Sequence, residues 1–466
     1  MTLLRMPIST SWLILALIFV KGILFVLLLP PWQGPDEPTR FEAAALVSES
    51  PFWPPAYGQD PALQGRIVSS MRQFQAWKFY DRKEPPPSVS TLSEANLPSG
   101  ASILYEPAAA YLPFSVLIRW IPSENLLGRL YAGRFLSLLM HMACVILLYQ
   151  LAGAMLPSRS SEIPRHLLVL FYGLHPQLSF LAASLHADNL GFLLSLGVLL
   201  LVVRAALCFR DGSRTAAGWV FLLTLLALAG ISLYLLRKMI VLLPFVSLSV
   251  PLIFWPRWKR QGTMEAVSGF LLLFLAVIVS AALLLYHYPE LLGWRLLSNP
   301  HLAKVEEFAH LDWQVWARYG LILFTTFWMA LGSLVYKLSP GWLSFLALSL
   351  GVVFLGCFGA VWNFLRRKTN GQAFAIPCLW LHGLWFFWIF LSVLIAYGPH
   401  RPNPEGRYLL SAMPSIAVLW LSGLSGWQWL ERNSDGLFGV RFWAAVSLLL
   451  CWSVFFQYLI PIFYLS

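Results

Sequence analysis

SWLILALIFVKGILFVLLLPPWQGPDEP, residues 11–38, decides how this chain is read. Its first twenty residues are apolar but for Ser11 and Lys21, and as a helix they span roughly 30 Å, the thickness of a bilayer's hydrocarbon core. Pro30-Pro31 stops that helix, and Pro35-Asp36-Glu37-Pro38 follows a few residues on. Two adjacent carboxylates held among prolines at a membrane boundary read as a site rather than as packing.

The rest of the 466 residues has the same character. The chain is 58% hydrophobic and 11% charged, with a mean hydropathy of +0.69, against about 25% charged residues in soluble domains. This is an all-α polytopic membrane protein. Its 22 Trp and 33 Phe suit aromatic belts at many interface crossings. The net charge of +11 belongs to cytoplasmic loops and not to nucleic-acid binding. Cys144, Cys208, Cys357, Cys378 and Cys451 lie in or beside apolar runs without C-x-x-C or Cys/His spacing, so they read as buried hydrophobes. The first run is long, carries Lys21 and has no small-residue cleavage site after it, which predicts an uncleaved signal anchor.

Spans are expected near 11–30, 126–156, 164–184, 189–208, 216–236, 239–256, 266–287, 341–365, 374–396, 407–429 and 442–463. With the N-terminus inside, the clusters Arg159/Arg165, Arg210/Arg214, Arg257/Lys259/Arg260 and Arg366/Arg367/Lys368 all fall on the cytoplasmic side, provided the apolar run 319–337 is not a full span. That run is therefore read as re-entrant or surface-lying, giving about eleven spans and an external C-terminus. Residues 31–125 then form a long external loop, rich in proline and polar residues. Its returning stretch, Tyr105 through Trp120, is apolar enough to lie along the membrane. A second external region covers 288–340, and a third, Tyr397 to Gly406, is short and polar. No soluble domain is expected.

Chemistry concentrates on that external face. Asp36 and Glu37 could take a proton from an attacking hydroxyl or hold a divalent metal. Asp36 followed by Glu37-Pro38 also opens a helix well, so a capping role stands beside the catalytic one. Arg40 is placed to pair with a carboxylate one turn away or to face a phosphate. Arg237-Lys238 breaks the charge rule externally and suits a lipid-linked phosphate, or else snorkels to the interface. His186 and Asp188, between two spans, could orient substrate or bind metal, with Asp188 alternatively a helix cap. Arg407, with Arg401 and Glu405 just before it, opens a span where it could grip phosphate or pair with Glu405. Tyr105 and Glu106 could line an acceptor groove. Lys21 is costly inside its span unless it faces a cavity or a partner, and His141 and His175 read as satisfied core residues. The absence of Walker, G-x-S-x-G and H-E-x-x-H motifs leaves no direct use of ATP and no familiar hydrolase. Whatever is transferred on this face must arrive already activated, and since the external side has no nucleotide-sugar pool, a lipid-phosphate donor meets both constraints.

The motifs carry a resemblance. Pro30-Pro31-Trp32-Gln33-Gly34-Pro35-Asp36-Glu37-Pro38-Thr39-Arg40-Phe41 is similar to the P-P-x-x-x-P-D-E-P-x-H-F first loop of a large bacterial group of predicted membrane proteins, with Arg40 where that group has His. The D-E-T-R-Y-A-E opening of lipid A aminoarabinose transferases is similar too, and there the Arg matches. Tyr105-Glu106-Pro107 through Pro113, Gly128-Arg129-Leu130 through Ser137, Leu174-His175-Pro176 to Asp188, Phe324 through Pro340, and Gly406-Arg407-Tyr408 through Pro414 resemble further segments of the same group in the same order. The chain thus resembles the GT-C superfamily of membrane glycosyltransferases, more distantly including protein O-mannosyltransferases.

That resemblance implies an inverting transferase in a bacterial cytoplasmic membrane, working on the external face. It would move a sugar from a polyprenyl-phosphate donor to a hydroxyl of a glycan, glycolipid or protein. Asp36 would be the base, supported by Glu37, with Arg237, Lys238, Arg407 and Arg40 at the donor phosphate and Tyr105, Glu106, His186, Asp188 and Arg401 at the substrates. Some relatives bind a divalent metal and others need none. A transporter or flippase, or a polymerase or ligase of lipid-linked saccharides, is the alternative; the former would favour repeats and broken helices at mid-membrane.

Overall fold

The computed structural model describes residues 8–76, 107–155, 162–211, 215–235, 313–329, 339–367 and 406–426, with parts of 381–390 and 445–456. Helix is the only regular structure among them. In chain order the helices are α1 (Ile8–Leu28), α2 (Glu37–Ser48), α3 (Leu63–Gln73), a 3-10 turn (Ala108–Tyr111) leading into α4 (Leu112–Ile118), α5 (Leu126–Met155), α6 (Glu162–Gly173), α7 (Pro176–Ala182), α8 (Asp188–Asp211), α9 (Thr215–Leu235), α10 (Trp313–Trp328), α11 (Pro340–Arg367), a second 3-10 turn (Gly406–Ala412) and α12 (Met413–Gly426).

Thr10–Leu28, Leu126–Met155 and Asp188–Phe209 are long and apolar enough to cross a membrane. The expected spans 11–30, 126–156, 189–208, 216–236 and 341–365 fall on α1, α5, α8, α9 and α11. Two expectations need correction. Residues 164–184 form no continuous helix: Pro176 has no amide hydrogen to give to Tyr172, and the chain breaks over Leu174-His175 into α6 and α7. The stretch from 407 starts as a 3-10 turn before α12. α10, which covers the first part of 319–337, has 16 residues, roughly 24 Å, less than a bilayer core. The spans expected at 239–256 and 266–287 lie outside the described residues, as does most of 374–396 and 442–463.

α5 organises the bundle, packing on α1, α4, α6, α7 and α8. Its neighbours come close where glycine allows. A Cβ on Gly133 would lie 2.2 Å from Leu185 Cδ1, so the turn before α8 sits directly on α5. Exposed apolar side chains such as Leu13, Val20, Leu139, Ile146, Val220 and Leu223 mark the faces that lipid covers.

Lys21 is buried and does face a partner. Its ammonium donates to the Gly173 carbonyl at 2.6 Å and to Ser179 Oγ. The α6–α7 break strips backbone acceptors of their helical donors, and Lys21 fills one of those places. His141 stacks on Tyr172, ring centroids 5.6 Å apart, and His175 on Trp328 at 5.2 Å; both are core residues. Cys144 and Cys208 are buried, as the sequence predicts.

In the first loop α2 is almost wholly buried against α3, α4 and the first 3-10 turn. Its C-terminal end is closed by cations from elsewhere. Arg119 donates Nε to the Ser48 carbonyl at 2.9 Å and Nη2 to that of Ser50. Arg129 pairs with Glu49 at 3.1 Å. These charges complement the negative end of the α2 dipole and fix α2, with Asp36 at its other end, to the top of α5.

Candidate functional site

The site grows from the way α1 ends. Its last carbonyls have no helical donors, and Pro31 supplies none. Arg134, one of the largest fully buried side chains, comes across from α5 to fill them. Its Nη1 donates to Leu29 O at 2.5 Å and Val26 O at 3.3 Å, and its Nη2 to Pro30 O at 2.8 Å. A guanidinium this deep requires an anion, and Glu37 provides it with both oxygens: Nε to Oε1 at 2.8 Å and Nη2 to Oε2 at 2.6 Å. Glu37 also accepts the Gly34 amide at 3.2 Å and the Leu185 amide at 3.2 Å. One buried ion pair thus ties together the end of α1, the 29–36 turn, α5 and the turn before α8.

The 29–36 turn is tightly determined. Trp32, fully buried at φ 70°, donates its indole N–H to Ser70 Oγ at 3.0 Å and meets Phe41 edge-on at 5.3 Å. Gln33 donates to the Ala76 carbonyl at 2.9 Å. Gly34 packs against the turn before α8; a Cβ there would lie 2.4 Å from that of Ser184.

Asp36 stands at the N-cap position of α2, as the sequence suggested, but its side chain makes no cap hydrogen bond. Its backbone is left-handed, at φ 52° and ψ 19°. A β-region backbone is what aims a capping carboxylate at the helix amides, so this residue forgoes a bond worth about 1 kcal/mol and adopts a sparsely populated conformation costing about as much. Thr39 caps in the opposite sense, its hydroxyl donating to the Asp36 carbonyl at 3.2 Å. The Asp36 carboxylate is a quarter exposed and points to the turn before α8, where His186 Nε2 lies 4.0 Å from its Oδ2. Nδ1 of the same ring lies 3.6 Å from Asp188 Oδ2 and accepts the Asp188 amide at 3.1 Å. His186 is buried and Asp188 nearly so. No cluster of three or more metal-ligating side chains occurs among the described residues.

Of the sequence candidates, the structure brings together Asp36, Glu37, His186 and Asp188. Arg40, which the sequence reading set against a carboxylate or a phosphate, donates Nη1 to the Tyr111 hydroxyl at 2.7 Å. Arg407 lies in the 3-10 turn that packs on α10 and α8. Its side chain, with Arg237, Lys238, Tyr105, Glu106 and Arg401, lies outside the described residues. Arg134 was missed by the reasoning about chemistry. The signal was present, since a cation two turns inside an apolar span demands a partner.

The described helices and this site define a helical integral membrane protein whose first long loop is locked onto the bundle by a buried ion pair. The chain belongs to the family described as "Predicted membrane protein (DUF2142)", whose match covers residues 19–417. No curated protein matches it. Among solved structures it is similar to ArnT from Cupriavidus metallidurans, in the apo state and bound to undecaprenyl phosphate. Both show 16% identity and a TM-score of 0.45, covering 95% of this chain and 64% and 65% of those chains. It is also similar to the Archaeoglobus fulgidus oligosaccharyltransferase in the apo form, at 12% identity and TM-score 0.45, covering 95% of this chain and 56% of that one. The chain spans less than two thirds of the length of each of these proteins.

Proposed function

We propose that this protein is a membrane glycosyltransferase that moves a sugar from a polyprenyl-phosphate donor to an acceptor hydroxyl on the external face of a bacterial inner membrane, with inversion. The observation that carries the reading is that Asp36, whose carboxylate makes no cap hydrogen bond to its helix and is a quarter exposed, stands beside a Glu37 committed to Arg134. Two adjacent acids thereby have different tasks: one holds the loop, the other reacts.

In the proposed step the acceptor O–H gives its proton to Asp36 as the oxygen bonds to the anomeric carbon. The bond from that carbon to the phosphate oxygen breaks, and the lipid phosphate leaves with the electron pair. Charge gathering on that phosphate calls for cations; Arg237, Lys238 and Arg407 are the assigned residues, and Arg40, tied to Tyr111, is the nearest to Asp36 in sequence. Tyr105, Glu106 and Arg401 are assigned to the acceptor and sugar.

One observation favours a second reading, a carrier of lipid-linked saccharides: the α6–α7 break with Lys21 buried against it resembles the discontinuous helices of transporters. Deleting the gene and restoring it with wild type or Asp36→Asn separates the two. The transferase reading expects an undecorated acceptor and an accumulated sugar-lipid in the deletion, uncorrected by Asp36→Asn. Full correction by Asp36→Asn favours the carrier.

A further inference from the structure

His186 is the one described ring that lies between two carboxylates, and its environment selects its tautomer. Nδ1 accepts the Asp188 amide at 3.1 Å, so in the neutral ring the proton resides on Nε2. That N–H is the group facing Asp36, 4.0 Å from Oδ2. The ring has little freedom to turn away. It is buried, its chain neighbour Leu185 is tied by its amide to Glu37, and Asn189 donates Nδ2 to its carbonyl at 3.3 Å and to that of Leu181 at 2.9 Å. The same buried ion pair therefore positions both the carboxylate and the ring that faces it.

We propose that His186 is a positioning residue for Asp36: held in the Nε2–H tautomer by the Asp188 amide, it donates to Oδ2 and so aims the other carboxylate oxygen at the acceptor. The inference rests on Asp36 being the base. At 4.0 Å the contact is longer than a hydrogen bond, and it closes when substrate excludes water, as catalytic hydrogen bonds that are long in the empty site do. A ring free to rotate would leave Asp36 with two equivalent oxygens and no preferred direction, and misplacement of a reacting atom by an ångström costs on the order of 10²-fold in rate.

The test uses the full chain in nanodiscs with 15N-labelled histidine. The His186 resonances are picked out of the nine histidines by their loss in His186→Gln. The expected spectrum at neutral pH has an unprotonated Nδ1 and a protonated Nε2, and Asp36→Ala shifts the Nε2–H signal. A ring protonated on Nδ1, or an Nε2–H signal indifferent to Asp36→Ala, overturns the proposal. A second arm reads transfer from a short-chain polyprenyl-phosphate sugar. His186→Leu is expected to lose on the order of 10²-fold, and His186→Gln, which offers an amide nitrogen near the Nε2 place, to recover most of that loss. Equal losses in both variants refute the positioning role. Inactivity of Asp36→Asn tests the transferase reading separately, because the tautomer and its response to Asp36 are read without any turnover.

Discussion

Breaking the Glu37–Arg134 pair should loosen the whole described bundle, and the size of the effect follows from the contacts. Glu37 and Arg134 are both fully buried. In Glu37→Gln the side chain keeps its shape but presents an NH2 where an oxygen accepted, either toward Arg134 and the Leu185 amide or toward Arg134 and the Gly34 amide. A donor then faces donors, and the guanidinium keeps its backbone carbonyls and one amide oxygen but loses its counter-charge. Removing one partner of such a pair costs about 3–5 kcal/mol, equivalent to a population of open molecules on the order of 10²- to 10⁴-fold larger. Cys144 offers a clock for this, being a buried free thiol on α5, ten residues beyond Arg134. In a variant whose only cysteine is Cys144, labelling in mild detergent should speed up by about 10² or more for Glu37→Gln and for Arg134→Gln. Glu37→Gln combined with Arg134→Met, which removes both charges, should recover much of the loss, since replacing a buried pair by neutral residues is often close to neutral. Single variants that label at wild-type rates, or a double variant whose loss equals the sum of the singles, would refute the argument.

Three further outcomes follow from other contacts. Lys21→Met removes the donor to the Gly173 carbonyl and Ser179, and the orphaned buried acceptor should cost about 1–3 kcal/mol, read as faster Cys144 labelling. Gly34→Ala places a methyl group 2.4 Å from Ser184 Cβ, so the turn before α8 must move, with a loss of about 1–3 kcal/mol and a changed His186 spectrum. Glu42, buried on α2, has its carboxyl raised above the ordinary 4.5 by desolvation, partly offset by a hydrogen bond with Gln64. Its folded form holds the proton more tightly than the unfolded one, so its contribution is full below pH 4.5 and is lost as pH rises through the raised folded value. Glu42→Gln should therefore match wild-type stability in acid and exceed it at neutral pH, in paired melting curves.

The acidic pair was legible because it violates the chain's own composition: two carboxylates beside an apolar run have no solvent-face reading there. Hydropathy found α1, α5 and α8 for the same reason, long apolar windows having few alternatives. What it could not see was the division of labour within the pair. Asp36 and Glu37 are chemically alike in sequence; only the arrival of Arg134 from 97 positions away separates them, and the left-handed backbone at Asp36 has no local signature beyond its residue type. The α6–α7 break was hidden because a hydropathy window runs smoothly over Gly173-Leu174-His175-Pro176, although Pro176 marked it. His186 and Asp188 were legible as polar residues in a turn between two apolar runs, but not their order, in which the Asp188 amide meets the ring and the ring faces Asp36.

The central claim is that Asp36 takes the acceptor's proton. Its most direct measurement is the single-turnover rate of sugar transfer from a polyprenyl-phosphate donor by the reconstituted protein, wild type against Asp36→Asn, with Cys144 labelling confirming that the variant is folded. The account predicts a loss of about 10²- to 10⁴-fold, the range for a positioned general base. A folded Asp36→Asn protein transferring at the wild-type rate would contradict it.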